Sequence, residues 1–335
     1  MEPLKARDSY LAHCLSHPLT KNMPPIGAAD NKIPSFEAFS MTSFPFLVEP
    51  GELAHCLGKT GLIILDCSVD MKSNPNGRAL VESDYGHWRE AHIPGSHYRY
   101  LMEDFSSPRR AIGYGLPEPD QIAAVLSGLG WREGSVIVLY GRLSRWGNQS
   151  AVARIYWVLR ACGVSNVMIL NGGWEAWIEA GLPVTSTITL TPHPTEVTLH
   201  AVKDAIASLD EVRAALEKPD IQLVNALQRN QFEGTGGSYY GRPGRIPGSL
   251  SLPFAELIDP QSNRYLDPDK LEQLVTAAGI EPQKRTIIYC GAGLAASMAY
   301  FVLENLDHRR ISVYDGSLLE WSSYPDLPLI TDATG

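Results

Sequence analysis

Along this chain, short runs of consecutive apolar residues alternate with segments whose apolar positions recur every three or four residues. Leu62-Ile-Ile-Leu65, Val136-Ile-Val-Leu-Tyr140 and Val167-Met-Ile-Leu170 are rich in β-branched residues and bounded by polar residues or glycine. That is the pattern of short strands buried on both faces. Pro50-Gly-Glu-Leu53 opens a short helix. Pro117–Leu129 reads as a helix with Ile122, Val125 and Leu126 inward. Ser150–Ala161 is a second, carrying Val152, Ile155, Tyr156 and Leu159 on one face and stopped by Gly163. Gly173-Trp-Glu-Ala-Trp177 starts another. A polar loop is expected through Asn74-Pro-Asn-Gly77, and His92-Ile-Pro-Gly-Ser96 is a turn leading into a short strand. Strands alternating with helices predict an α/β fold with central parallel sheets flanked by helices.

The same order of signals then returns. Ile221-Gln-Leu-Val224 before Asn225 echoes Leu62–Leu65 before Asp66, and Arg245-Ile-Pro-Gly-Ser249 echoes His92–Ser96. Thr286-Ile-Ile-Tyr289 echoes Val136–Leu139, Asp315-Gly-Ser-Leu-Leu-Glu-Trp321 echoes Asn171–Trp177, and Asp326-Leu-Pro328 echoes Gly181-Leu-Pro183. Matched landmarks in one order predict tandem copies of one domain. The expected organisation is an N-terminal extension over 1–43, broken by prolines 18, 24, 25 and 34 and loosely ordered. A first domain follows over 44–184, a Thr- and Pro-rich linker over 185–198, and a second domain over 199–332.

The copies differ at one place. After Thr286–Tyr289 come Cys290-Gly-Ala-Gly293 and then a helix marked by Leu294, Met298, Phe301 and Val302. A cysteine between a strand and a helix faces loop and first-turn N–H groups that have no partner in either element. Those donors and the helix dipole stabilise a thiolate, so a free cysteine pKa of about 8.5 falls to roughly 3.5–7.5 in such sites. In the first copy, the alignment of apolar runs puts Tyr140 where the second has Cys290, followed by Gly141-Arg-Leu-Ser-Arg-Trp-Gly147 with Arg142, Arg145 and Trp146. Cys56, Cys67 and Cys162 read as core or strand-end thiols, and Ser297 as a helix residue bonding its own backbone. His92 and Asp66 read as groups that secure turns. His13, Cys14 and His17 lack a fourth metal ligand. A cysteine phosphatase needs Cys-x5-Arg, and the arginine position is Ala296. A binding or regulatory module without catalysis is the competing reading, opposed by the intact nucleophile and glycines.

Composition narrows the setting. A net charge of -9 argues against nucleic-acid and anionic-membrane partners. No apolar run is long enough to span a membrane, and the odd cysteine count without paired spacing suggests a reducing, cytoplasmic compartment.

A tandem pair of α/β domains, each with an Ile-Pro-Gly turn and with a loop cysteine in the second only, resembles the two-domain rhodanese-like sulfurtransferases. That family contains thiosulfate and 3-mercaptopyruvate sulfurtransferases, and the resemblance covers about residues 44–330. It implies two rhodanese-like domains, the first inactive, with the active loop at their interface. It implies that Cys290 takes a sulfur from a small anionic donor as a persulfide and passes it to a thiol or cyanide, without metal or organic cofactor. The amides of Gly291, Ala292, Gly293, Leu294, Ala295 and Ala296 would hold the persulfide. The chain departs from the family where thiosulfate enzymes place basic residues after the cysteine, since it has Gly291 and Ala292 there. Ala292 also lacks the hydroxyl of the mercaptopyruvate pattern, and Gln231 stands at the family's substrate arginine. Arg242, Arg245 and Arg229 are the candidates to supply the missing charge, by bidentate bonds to donor oxygens. Trp146, with Arg142 and Arg145, is the candidate contribution from the first domain.

Overall fold

A computed structural model describes residues 44–73, 79–107, 114–143, 149–190, 193–237 and 239–332. The expected extension, with His13, Cys14 and His17, lies outside the described residues, as do Arg145 and Trp146. The first half contains β1 (Leu47–Val48), β2 (Leu62–Asp66), β3 (Val69–Ser73), β4 (Ala79–Ser83), β5 (Ser96–Tyr98), β6 (Val136–Tyr140) and β7 (Val167–Leu170). Five of these form a sheet in the order β1-β7-β6-β2-β5, parallel throughout. The second half contains β8 (Ile221–Asn225), β9 (Leu250–Ser251), β10 (Arg285–Tyr289) and β11 (Ile311–Val313), a parallel sheet ordered β11-β10-β8-β9. The central strands are buried along almost their whole length, which is why they read as unbroken apolar runs. The antiparallel pair β3–β4 flanks the place where only a polar loop was expected. Its alternation of apolar Val69 and Met71 with charged Asp70 and Lys72 is too short to stand out in sequence.

The halves meet through two equivalent helices, Gln149–Ala161 and Leu294–Asn305, each following a central strand of its sheet, β6 and β10. Nearly every residue of both is buried, as expected of helices apolar around their whole circumference. Phe301 is the shared anchor. Its ring meets Tyr156 edge-on at 4.9 Å, Tyr265 at 4.8 Å and Phe44 at 6.3 Å. At the rim, Tyr156 Oη donates to Glu304 Oε2 at 2.7 Å, and Arg160 donates from Nε and Nη2 to Glu304 Oε1 at 3.0 and 2.6 Å. The segment after the first half is tied down at both described ends. His92 exchanges backbone bonds with Thr185 and places its ring nitrogens 2.7 Å from Trp88 O and 3.2 Å from Thr187 O, while Thr195 Oγ1 donates to Trp131 O at 2.6 Å.

The structure shifts the alignment of the two copies by one residue. β2 pairs Asp66 with Tyr140, and β8 pairs Asn225 with Tyr289. Tyr140 Oη accepts from Ile93 N at 3.3 Å and lies 3.1 Å from Ser96 Oγ. Tyr289 Oη accepts from Ile246 N at 3.0 Å and lies 2.8 Å from Ser249 Oγ. The two tyrosines therefore match, each clasping its own Ile-Pro-Gly turn, and the counterpart of Cys290 is Gly141, not Tyr140. A continuous apolar run carries no internal mark of register, so the comparison of sequences slid by one position. Beyond the loop the match continues: Trp174 N donates to Gly141 O and Leu318 N to Cys290 O, both at 3.0 Å. Trp177 and Trp321 each donate Nε1 to a proline carbonyl, Pro183 at 2.8 Å and Pro328 at 2.9 Å.

This places Gly173 opposite Ser317. Gly173 has φ +60°, and a Cβ there would lie 2.2 Å from Gly141 O. Gly173→Ala is expected to destabilise the protein by about 2–4 kcal/mol through backbone strain and overpacking, seen as a lower denaturation midpoint; an unchanged midpoint would mean the loop at Gly141 yields freely.

Candidate active site

Cys290 leaves the carboxyl end of β10, and Gly293, at φ +89°, turns the chain into the Leu294–Asn305 helix. The side chain is only 2% exposed. Gly293 N donates to Cys290 Sγ at 3.1 Å, so a loop amide does point at the sulfur. The carbonyls of Cys290 and Gly291 point the other way, accepting from Leu318 N and Leu319 N at 3.0 Å each. Peptide planarity then directs the N–H groups of Gly291 and Ala292 away from that helix turn. Leu294, Ala295 and Ala296 occupy the first helical turn, where N–H groups lack intrahelical acceptors. Ser297 returns its hydroxyl to Gly293 O at 2.9 Å, as read from the sequence.

Three side chains outside the loop fix its shape, and none was singled out from the sequence. Ser317 Oγ accepts from Cys290 N at 3.1 Å and stands 4.0 Å from Cys290 Sγ. Tyr240 lays its ring on Gly291 so closely that a Cβ at 291 would fall 2.1 Å from the ring Cζ. Arg154 arrives from the first half. Fully buried, it donates from Nη1 to Asp315 Oδ1 at 2.6 Å, lies 3.4 Å from Gly293 O, and donates from Nη2 to Tyr114 O. Its guanidinium sits 4.5 Å above the Trp157 ring, and Asp315 Oδ2 accepts from Leu116 N at 3.0 Å. A Cβ on residue 293 would collide with both Asp315 and Arg154, at 2.7 and 2.8 Å. The glycines at 291 and 293 are thus needed for different neighbours, an aromatic ring and an ion pair. A lone arginine among Val152, Ile155, Trp157 and Val158 was the signal available in sequence, because an unpaired cation is almost never buried.

The arginines proposed as donor ligands have other partners. Arg242 donates to Ser322 O at 3.3 Å, Tyr324 O at 2.9 Å and Leu327 O at 2.8 Å. Arg245 forks onto Asp332 at 2.9 and 2.7 Å and lies over Phe232. Arg229 forks onto Glu256 at 2.6 Å from two nitrogens. Arg142 bonds the carbonyls of Ala91 and His87 and stacks on Trp174 at 4.0 Å. Arg242 and Arg245 clamp the 239–245 segment to the C-terminal stretch, and that clamp is what carries Tyr240 to Gly291. Arg242 and Arg142 are held by loop carbonyls, Arg245 and Arg229 chiefly by carboxylates.

The remaining described thiols are poor nucleophiles. Burial pushes Cys67 well above the ordinary thiol range, with Asp66 adding to it, and pushes Cys162 up to about 11 and Cys56 upward. Asp66 is itself raised by burial and accepts from Ser68 N at 2.9 Å, holding a turn as Asn225 does with Leu227 N at 2.8 Å. Among the described residues, no cluster of His, Cys, Asp and Glu could hold a metal ion, and no helix is long and apolar enough to cross a membrane.

Comparison with known proteins agrees with this architecture. The rhodanese-like domain family matches twice, over residues 49–180 and 208–324. A probable 3-mercaptopyruvate sulfurtransferase of Pseudomonas aeruginosa is 30% identical over 295 residues, covering 85% of this chain and 98% of that protein. The thiosulfate sulfurtransferase YnjE of Escherichia coli K12 is 30% identical over 257 residues, 73% of this chain and 57% of that one. The crystal structure of YnjE superposes with a TM-score of 0.70 at 26% identity, covering 91% of this chain and 70% of that one. The wild-type structure of EanB shares the fold at TM-score 0.70 and 22% identity; this chain spans 64% of it.

The buried ion pair can be tested directly. Arg154→Met leaves the Asp315 carboxylate without its cation and is expected to cost about 3–5 kcal/mol, read as a lower urea midpoint. Arg154→Met combined with Asp315→Leu should recover much of that loss. A single variant with the parent midpoint would show that the pair contributes nothing to stability.

Proposed function

The chain belongs to the rhodanese-like family and is an enzyme of the sulfurtransferase type, and on that premise we propose that it moves a sulfur atom through a persulfide on Cys290. The observation that carries this reading is the Cys290 sulfur accepting the Gly293 N–H at the junction of β10 and its helix. An amide donor and a helix N-terminus are complementary to a negatively charged sulfur. The persulfide, being an anion of the same shape one atom longer, draws on the same donors, with the amides from Gly291 to Ala296 as its binding loop.

With thiosulfate, the thiolate forms a bond to the outer sulfur, the donor's S–S bond breaks, and sulfite leaves with the electron pair. With 3-mercaptopyruvate, the thiolate attacks the thiol sulfur, the C–S bond breaks, and the proton of that thiol ends on the carbon of the departing pyruvate. An acceptor thiolate or cyanide then attacks the outer sulfur and regenerates the Cys290 thiolate, a double displacement. The relatives' names span both donors, and we propose the same pair for this chain. The first domain (44–184) is taken as inactive because Gly141 has no side chain at the position of the nucleophile. The linker at 185–198 joins it to the catalytic domain at 199–332. Unpaired thiols at all four described cysteines suit a reducing, cytoplasmic setting.

Incubation with either donor is expected to add about 32 Da, one sulfur atom, to the peptide containing Cys290. Cys290→Ser should remove both that gain and sulfur transfer to cyanide while keeping the parent's melting temperature. Turnover persisting in Cys290→Ser would move the chemistry elsewhere, and no mass gain from either donor would support a binding module instead.

A further inference from the structure

Cys290 is 2% exposed, yet a double displacement needs two reagents to reach its sulfur in turn. The loop that carries it is not deep. Ala292 and Leu294, on either side of Gly293, are only half-buried. The side chain laid across this shallow loop is Tyr240. A Cβ on residue 291 would fall 2.1, 2.2 and 2.4 Å from its Cζ, Cε2 and Cε1, so the phenol end of the ring fills the space beside the residue that follows the nucleophile. Tyr240 is half-buried and its neighbour Tyr239 is exposed, which puts the ring between solvent and the loop.

The main chain under that ring is fixed. Ser322 Oγ donates to Tyr240 O at 2.6 Å. Gly241, at φ +101°, packs against the same hydroxyl so tightly that a Cβ there would fall 2.1 Å from it. Arg242 adds its bonds to the carbonyls of Tyr324 and Leu327. With the backbone pinned, the freedom of the ring is rotation about its own two side-chain bonds. Such a rotation opens a gap about as wide as the ring itself and leaves the strap in place. A slender reagent passes through a gap of that kind. A cysteine carried on a folded protein brings its own backbone with it and meets both ring and strap.

We propose that Tyr240 is a specificity-determining residue that sorts reagents by breadth: cyanide and small thiols reach the Cys290 sulfur, and cysteines displayed on folded proteins do not. The proposal rests on the reading of Cys290 as the nucleophile, and it goes further in assigning the class of acceptor. The discrimination is a clash against the broad partner, not a contact with the slender one. The bulk of the ring carries it, not the hydroxyl.

The test compares alkylation of Cys290 in the full chain by a slender reagent, iodoacetamide, and by a broad one, a maleimide bearing fluorescein. Both rates are followed by mass spectrometry of the Cys290 peptide in the parent, Tyr240→Ala, Tyr240→Leu and Tyr240→Phe. Tyr240→Ala should raise the rate of the broad reagent about tenfold more than that of the slender one. Tyr240→Leu should do so to a smaller extent, and Tyr240→Phe should keep the parent's ratio. A persulfide formed from thiosulfate should likewise discharge to reduced thioredoxin faster in Tyr240→Ala than in the parent, relative to its discharge to cyanide. Equal acceleration of both reagents, or of neither, overturns the proposal. A shifted ratio in Tyr240→Phe overturns it too, because it would put the selection in the hydroxyl. Should the alanine variant fail to fold, the leucine variant, which keeps an apolar side chain against Gly291, decides by the same ratio. Alkylation needs no sulfur donor, so its outcome is separable from failure of the persulfide reading, which the donor-dependent mass gain reports.

Discussion

A single buried ion pair joins the two halves at the point where the candidate nucleophile is made. Arg154 belongs to the first half and Asp315 to the second, and the glycine that turns the chain after Cys290 is wedged against both. Neither charge reaches solvent, so each depends on the other and on the carbonyl and amide groups that surround them. The carbonyl of Gly293 lies within reach of the guanidinium, while the amide of the same residue points at the sulfur. The two peptide units that flank Gly293 are thus engaged on opposite sides, one by the sulfur and the other by a residue from the other half of the molecule. The interface is more than packing between the Gln149–Ala161 and Leu294–Asn305 helices; it shapes the loop.

The duplication has kept its scaffold and changed its contents. Tyr140 and Tyr289 clasp their turns alike, and Trp177 and Trp321 close their domains alike. At the strand end, however, Gly141 and Gly173 face each other where Cys290 and Ser317 do. In the first copy the backbone of Gly173 lies against the Gly141 carbonyl, leaving no room for a Cβ.

The sequence disclosed the fold well because the central strands are buried on both faces and the helices carry regular apolar spacing. Cys290 and its glycines were visible for the same reason: they interrupt that regularity. The limits were physical. An unbroken apolar strand contains nothing that fixes its register, and it is the contact of each tyrosine hydroxyl with its Ile-Pro-Gly turn that pairs Tyr140 with Tyr289 and Gly141 with Cys290. Arg242, Arg245 and Arg229 stand in the sequence as substitutes for the missing positive charge, and the oxygens nearest them belong to Tyr324, Leu327, Asp332 and Glu256. Arg154, Tyr240 and Ser317 act across long stretches of chain, and local patterning does not encode such pairings.

The ring of Tyr240 resting on the backbone of residue 291 amounts to a steric bargain between two positions 51 residues apart in sequence. As long as the aromatic ring occupies that spot, the position following the cysteine cannot bear any side chain, and a lysine or arginine there is ruled out by volume before its charge matters. An enzyme of this design therefore cannot acquire a cation beside its sulfur by one substitution. It must first surrender the ring, and the strap carrying that ring is riveted to the C-terminal stretch by two arginines.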